Sequence, residues 1–168
     1  REQLVAKIRA HSALEREQAE LERARGQLGF ERIAGAVREA ERIAANRAVA
    51  AVELSNESGP ALQVRLHPLS IEGPGGQCYL LDQLIFSLPL DGTLSVGWKQ
   101  PVGLRSPHPH VSSGSLMTCW GNAETPIMEA IEAGEYAAAV FHICGWASIY
   151  TARSPYVTLC PEHFPRTG

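Results

Sequence analysis

A chain of 168 residues, 45% hydrophobic and 20% charged, has the make-up of one globular domain with an extra element and is short for two full cores. Its net charge of -3 gives no strong attraction to nucleic acid or an anionic membrane, and no apolar run reaches the length of a bilayer-spanning helix. Four irregularly spaced cysteines, Cys78, Cys119, Cys144 and Cys160, without a visible secretion signal, read as free thiols in a reducing cytoplasm rather than as a disulfide framework. The start at Arg1, not Met, leaves room for a preceding part of a longer protein.

Residues 1–50 hold ten Lys or Arg and eight Asp or Glu, and are rich in Ala, Leu, Glu and Arg, which favour helix. Leu14, Leu21 and Leu28 recur at helical spacing, as do Ile33, Val37, Ala40 and Ile43, with Gly26 and Gly29 marking a break between the two series. The first series predicts a helical arm over 1–28, either a short coiled-coil seam that makes a homodimer or docks a partner, or a helix that only reaches solvent. The second predicts a helix packed on the domain that follows, over 30–168.

After the turn-rich stretch Ser55 to Pro60, strand patterns take over. Leu62, Val64 and Leu66 alternate with Gln63 and Arg65, a half-buried strand. The apolar run Cys78 to Leu88 suits a central strand, and Asp91-Gly92 turns it into a partner over Thr93 to Trp98. From Lys99 to Asn122, prolines at 101, 107 and 109 and glycines at 103, 114 and 121 leave a long aperiodic segment, which in a compact domain usually carries function. Helix returns near Thr125-Pro126, with apolar positions from Ile127 to Cys144 and an interruption at Gly134.

The chemistry-bearing residues gather in that aperiodic segment: His108-Pro109-His110-Val111, then Gly114, then Cys119-Trp120-Gly121-Asn122. A cysteine in a Gly-flanked loop close to imidazoles suits a thiolate nucleophile, since a neighbouring imidazole raises the thiolate fraction. A buried structural thiol is the plain alternative, and Cys78 and Cys144 read as core residues. Trp120 reads as an apolar anchor for the loop. Cys160-Pro161-Glu162-His163 has the spacing of half a zinc site, which Cys119 or His110 could complete. No second close pair exists, so no metal is expected.

The order helix, strand meander, His-Pro segment, cysteine, helix resembles the ubiquitin-conjugating enzymes, and in particular their divergent bacterial relatives, over residues 31 to 158. The resemblance implies an α+β fold in which an antiparallel meander sheet is packed by helices, here with an additional N-terminal helix. It implies that Cys119 carries a ubiquitin-like modifier as a thioester, with His108 and Pro109 bracing the loop. The family has Asn where this chain has His110, and ten positions between His and cysteine where this chain has eleven. That leaves the role of His110 open and makes Asn122 a candidate for the missing amide. By resemblance the partners are a ubiquitin-like protein, an activating enzyme and a target protein, in a bacterial defence or conjugation operon, with no cofactor. Two other readings stand beside this one. The changed motif fits an inactive scaffold acting through the helical arm, and Cys119 with His108 or His110 as base fits an unrelated small thiol enzyme.

Overall fold

The computed structural model describes residues 34–57, 59–91, 93–104, 106–152 and 155–167. The arm expected over 1–28, its leucine series and the break at Gly26 and Gly29 lie outside the described residues. The chain divides into two compact units, 1–38 and 39–168. Of the first, residues 34–38 are described and are helical.

The larger unit is α+β. Helix is described over 34–44 (α1), and from residue 39 onward it belongs to this unit. Among the described residues six strands follow: β1 (Val49–Ser55), β2 (Ala61–Leu66), β3 (Leu69–Glu72), β4 (Cys78–Leu81), β5 (Ile85–Pro89) and β6 (Gly97–Trp98). Strands β1, β2, β5 and β6 form an antiparallel sheet in that order, and β3 pairs with β4 in a separate hairpin. A 3-10 turn over Gly121–Ala123 leads into α2 (Glu124–Glu132) and α3 (Tyr136–Ala147).

The period-two pattern of β2 is realised: Leu62, Val64 and Leu66 are buried while Arg65 is exposed. Cross-strand pairing of Val64 with Phe86 and of Phe86 with Trp98 carries the apolar face across the sheet. Helices α2 and α3 supply Ile127, Ile131, Ala139, Val140 and Ile143 to the same core, and α1 supplies Ile43. Each fully buried aliphatic or aromatic side chain contributes about 1.5–3 kcal/mol by leaving water, so this face dominates the driving force.

Two expectations for the strands are corrected. The apolar run Cys78 to Leu88 is two strands, not one: Asp82 and Gln83 interrupt it, and the chain passes there from the hairpin into the main sheet. The Gln83 side chain holds the crossing in place, its Oε1 accepting the Val102 N–H at 2.9 Å. Cys78 accordingly starts a hairpin strand and is exposed, not core. The strand expected over Thr93 to Trp98 shrinks to Gly97–Trp98. Local bonds take the backbone first, the Asp91 carboxylate accepting the Thr93 N–H at 2.9 Å and the Thr93 carbonyl the Ser95 N–H at 3.0 Å.

The helical half follows its punctuation. Gly134, at a φ of 74°, closes α2 and lets the chain turn into α3, as the break at that position predicts. The start of α3 is capped from a distance. Glu135 makes no side-chain cap, and the Glu39 carboxylate on α1 instead accepts the Ala137 N–H at 2.7 Å. Arg42 Nη1 donates to the other oxygen of Glu39 at 2.6 Å. A carboxylate at a helix N-terminus satisfies an orphan N–H and interacts favourably with the helix dipole.

Glu39→Ala should therefore destabilise the protein by about 2 kcal/mol, measured by urea unfolding, because it leaves the first turn of α3 uncapped. Arg42→Ala, which removes only the exposed partner, should cost less than about 1 kcal/mol. Equal losses would show that the ion pair and not the cap matters.

Candidate functional site

The segment between β6 and the 3-10 turn is aperiodic in sequence yet largely interior. Ser106 through Val111 are all buried. Ser106 Oγ lies 2.8 Å from the His108 carbonyl and 2.6 Å from the Val111 carbonyl, and the Val111 N–H donates to the His108 carbonyl at 2.9 Å. Pro109 exposes its carbonyl to the Val157 N–H at 3.0 Å, which ties the C-terminal stretch to the turn. Such internal pairing is what allows a loop backbone to be buried at all.

Beyond the turn the chain folds back on itself. Val111 bridges Thr118 in antiparallel fashion, the Ser112 N–H donates to the Met117 carbonyl at 2.8 Å, and the Cys119 N–H donates to the His110 carbonyl at 2.8 Å. At the tip Leu116 adopts a φ of 55°, a left-handed conformation costing a non-glycine residue about 1 kcal/mol. Gly121 also takes a φ of 55°, and this swings the chain from Trp120 into the 3-10 turn that carries Asn122.

Three tryptophans set the position of Cys119. Trp146 lies 4.6 Å from Trp120 and 5.7 Å from Trp98 between ring centroids, and Phe86 extends the cluster 5.3 Å from Trp98. Two indole N–H groups then reach the hairpin. Trp98 Nε1 donates to Thr118 Oγ1 at 2.8 Å, and Trp146 Nε1 donates to the Cys119 carbonyl at 3.2 Å. Both backbone polar groups of Cys119 are thus engaged, so its Cβ direction is fixed from two sides.

Cys119 itself is half-buried and lines a cleft of about 520 Å³ whose walls include His110, Asn122, His142, Trp146 and Thr151. Three of the four residues expected at a site, Cys119, His110 and Asn122, therefore share one cleft. His108 does not reach it. It is fully buried, with its ring 4.2 Å from that of Trp146. Its Nδ1 accepts the His110 N–H at 3.2 Å, Nε2 makes no well-formed hydrogen bond, and the Ala147 backbone lies close to the ring. His108 is placed to brace the turn and not to meet a substrate.

His110 also has a bracing contact, since its Nε2 accepts the Thr151 N–H at 3.2 Å. The lone pair of that nitrogen can take a proton only if this bond breaks. His142, on α3, is the second imidazole lining the cleft. It was not singled out among candidate residues in the sequence. The available signal was its helical spacing from Trp146, which puts the two on one face. All four cysteines are free. Cys144, expected in the core, is half-buried against it, and that burial pushes its thiol up to about 11. Cys160 and His163 group with Glu162, not with Cys119 or His110. Among the described residues, no helix is long and apolar enough to cross a membrane.

Burial and, secondarily, the neighbouring His110 lower the His108 pKa from 6.5 to about 3. Between these pH values the unfolded chain binds a proton that the folded one refuses. The stabilising contribution of neutral His108 is complete above pH 6.5 and is lost as pH falls toward 3, with a slope of up to about 1.4 kcal/mol per pH unit. Urea unfolding at pH 7 and pH 4.5 should show His108→Gln losing less stability on acidification than the unsubstituted protein. Equal losses would show that other groups carry the acid sensitivity.

Known protein families, curated proteins and solved structures include no match to this chain.

Proposed function

We propose that this protein is a ubiquitin-conjugating-like carrier, in which Cys119 holds a ubiquitin-like modifier as a thioester and delivers it to an amine. The observation that carries this reading is the setting of Cys119. The residue is half-buried and lines a cleft while its backbone N–H and carbonyl are both held, by His110 and by Trp146. A structural cysteine would not need a cleft, and a cysteine on a loose loop would not present a fixed direction of attack. The order of elements lends support: α1, a four-stranded antiparallel sheet interrupted by the β3–β4 hairpin, a buried His-Pro turn, the cysteine, a 3-10 turn and two helices can be set beside the helix, meander, His-Pro segment, cysteine and helix of the resemblance.

In the first step the Cys119 thiolate attacks the carbonyl carbon of the modifier's thioester on its activating enzyme. The tetrahedral intermediate collapses with the activating enzyme's thiolate as leaving group, and the acyl group rests on Cys119. In the second step an amine of the target attacks the same carbonyl, loses its proton, and Cys119 leaves as thiolate with formation of the amide. The activation energy arrives in the incoming thioester, so the second step needs orientation and a donor to the developing oxyanion. Asn122, one turn from Cys119 on the wall of the cleft, is the side-chain amide available for that. His110, with Nε2 committed to Thr151, acts as the brace that an Asn provides in the family motif. His142 is the second imidazole on the wall of the same cleft. Such a carrier works where thiols stay reduced, with a ubiquitin-like protein, an activating enzyme and a target protein as partners.

Incubation with a ubiquitin-like protein, its activating enzyme and ATP should yield an adduct that thiol reagents cleave and that Cys119→Ala abolishes. Asn122→Ala should still form the adduct but discharge it to an amine about 10²–10³-fold more slowly. A thiol-resistant adduct, or one that survives Cys119→Ala, would overturn the proposal. Failure of the intact protein to load would favour the scaffold reading, to which the His110 substitution in the motif lends support.

A further inference from the structure

The turn at Cys160 to His163 lies outside the cleft and takes no part in the thioester chemistry. Its donor atoms nevertheless converge. The Cys160 Sγ, a Glu162 carboxylate oxygen and a His163 ring nitrogen all lie within 4.8 Å of one another. We propose that these three residues form a binding site for one zinc ion, with water as the fourth ligand.

Three observations carry this. The first is the chemistry of the set: a thiolate, an imidazole and a carboxylate are the three protein donors that zinc accepts, and their mixed softness disfavours calcium or magnesium. The second is distance. Zinc–ligand bonds of about 2.0–2.3 Å in a tetrahedron put ligand atoms roughly 3.3–3.8 Å apart, so side-chain rotations of about 1 Å close the set on an ion. The third is the stiffness of the turn that presents it. The His163 and Phe164 N–H groups both donate to the Cys160 carbonyl, at 3.0 and 2.9 Å. Leu159 before the turn and Phe164 after it are buried, at 5% and 0% exposure. The absence of a second Cys or His pair in the sequence argued for no metal. That argument assumes four protein ligands, and three donors from a single turn plus water do not need the second pair.

Zinc here would also fasten the end of the domain. Directly after the turn the chain runs along β4, with the Leu80 N–H donating to the Pro165 carbonyl at 2.7 Å and the Thr167 N–H to the Cys78 carbonyl at 3.1 Å. Arg166 bridges Tyr79 in the same ladder. The hairpin is thus joined through one isolated bridge to the stretch whose entry point is the proposed site. An ion that binds only the folded turn stabilises the fold by mass action.

The full chain, stripped with a chelator and titrated with Zn²⁺ or Co²⁺, tests the assignment. One Zn²⁺ should bind per chain, and Co²⁺ should give a thiolate-to-metal charge-transfer band that Cys160→Ser removes and Cys119→Ser leaves intact. His163→Gln and Glu162→Gln should each weaken Zn²⁺ by roughly tenfold or more and keep the test readable if the turn does not tolerate loss of Cys160. Zn²⁺ at a hundredfold excess over its Kd should raise the melting temperature by about 5 °C or more. A missing band, a band that persists in Cys160→Ser, Zn²⁺ affinity unchanged in both His163→Gln and Glu162→Gln, or an unmoved melting temperature would overturn the proposal. None of these outcomes bears on the loading of Cys119.

Discussion

Packing of a neutral, fully buried imidazole against an indole is the contact on which the arrangement around Cys119 depends. His108 lies against Trp146, and Trp146 in turn touches Trp98 and Trp120 and donates its N–H to the Cys119 carbonyl. Burying a charged imidazole at this depth would be prohibitive, and the depressed pKa keeps the ring uncharged. The neutral ring leaves Nδ1 free to accept the His110 N–H, and this fixes the turn from which the Cys119 hairpin springs. An aliphatic side chain could fill the same volume but could not accept that bond.

Indole side chains suit this task for a related reason. Each offers a large apolar body to the core and one N–H that requires a partner when buried. Trp98 and Trp146 spend theirs on consecutive residues, Thr118 and Cys119. The sheet, through β6, and the last helix, α3, therefore grip the same two residues of an otherwise irregular stretch. The order that regular secondary structure would give to Cys119 is supplied instead by these two contacts.

Helix α3 links this region to the N-terminal side of the domain. Its C-terminal half carries His142 and Trp146 to the cleft, and its first turn is capped by Glu39 from α1. On the other side, the stretch after α3 returns to the His-Pro turn through the bond from Val157 to Pro109 and then continues past Cys160 to join β4. The C-terminal segment is thus integral to the fold, not an appendage, and a metal ion at its entry would reinforce a connection already made by hydrogen bonds.

The elements governed by local rules were legible in the sequence. Strand β2 followed its alternation because one face is buried and the period is fixed by the pleat. The break between α2 and α3 followed Gly134, because a left-handed residue ends a helix wherever it stands. The irregular course of the Cys119 segment was legible too, since closely spaced Pro and Gly deny it a regular period. What the sequence concealed depends on partners distant along the chain. The division of Cys78 to Leu88 between two sheets, the exposure of Cys78, the cap supplied by Glu39 and the engagement of His110 with Thr151 all arise from contacts between separate elements. Local propensity carries no information about which distant group will satisfy a buried donor or acceptor. Tertiary structure alone decided that His108 lies within the core while His142 lines the cleft, because burial of an imidazole is determined by what surrounds it and not by its neighbours in sequence.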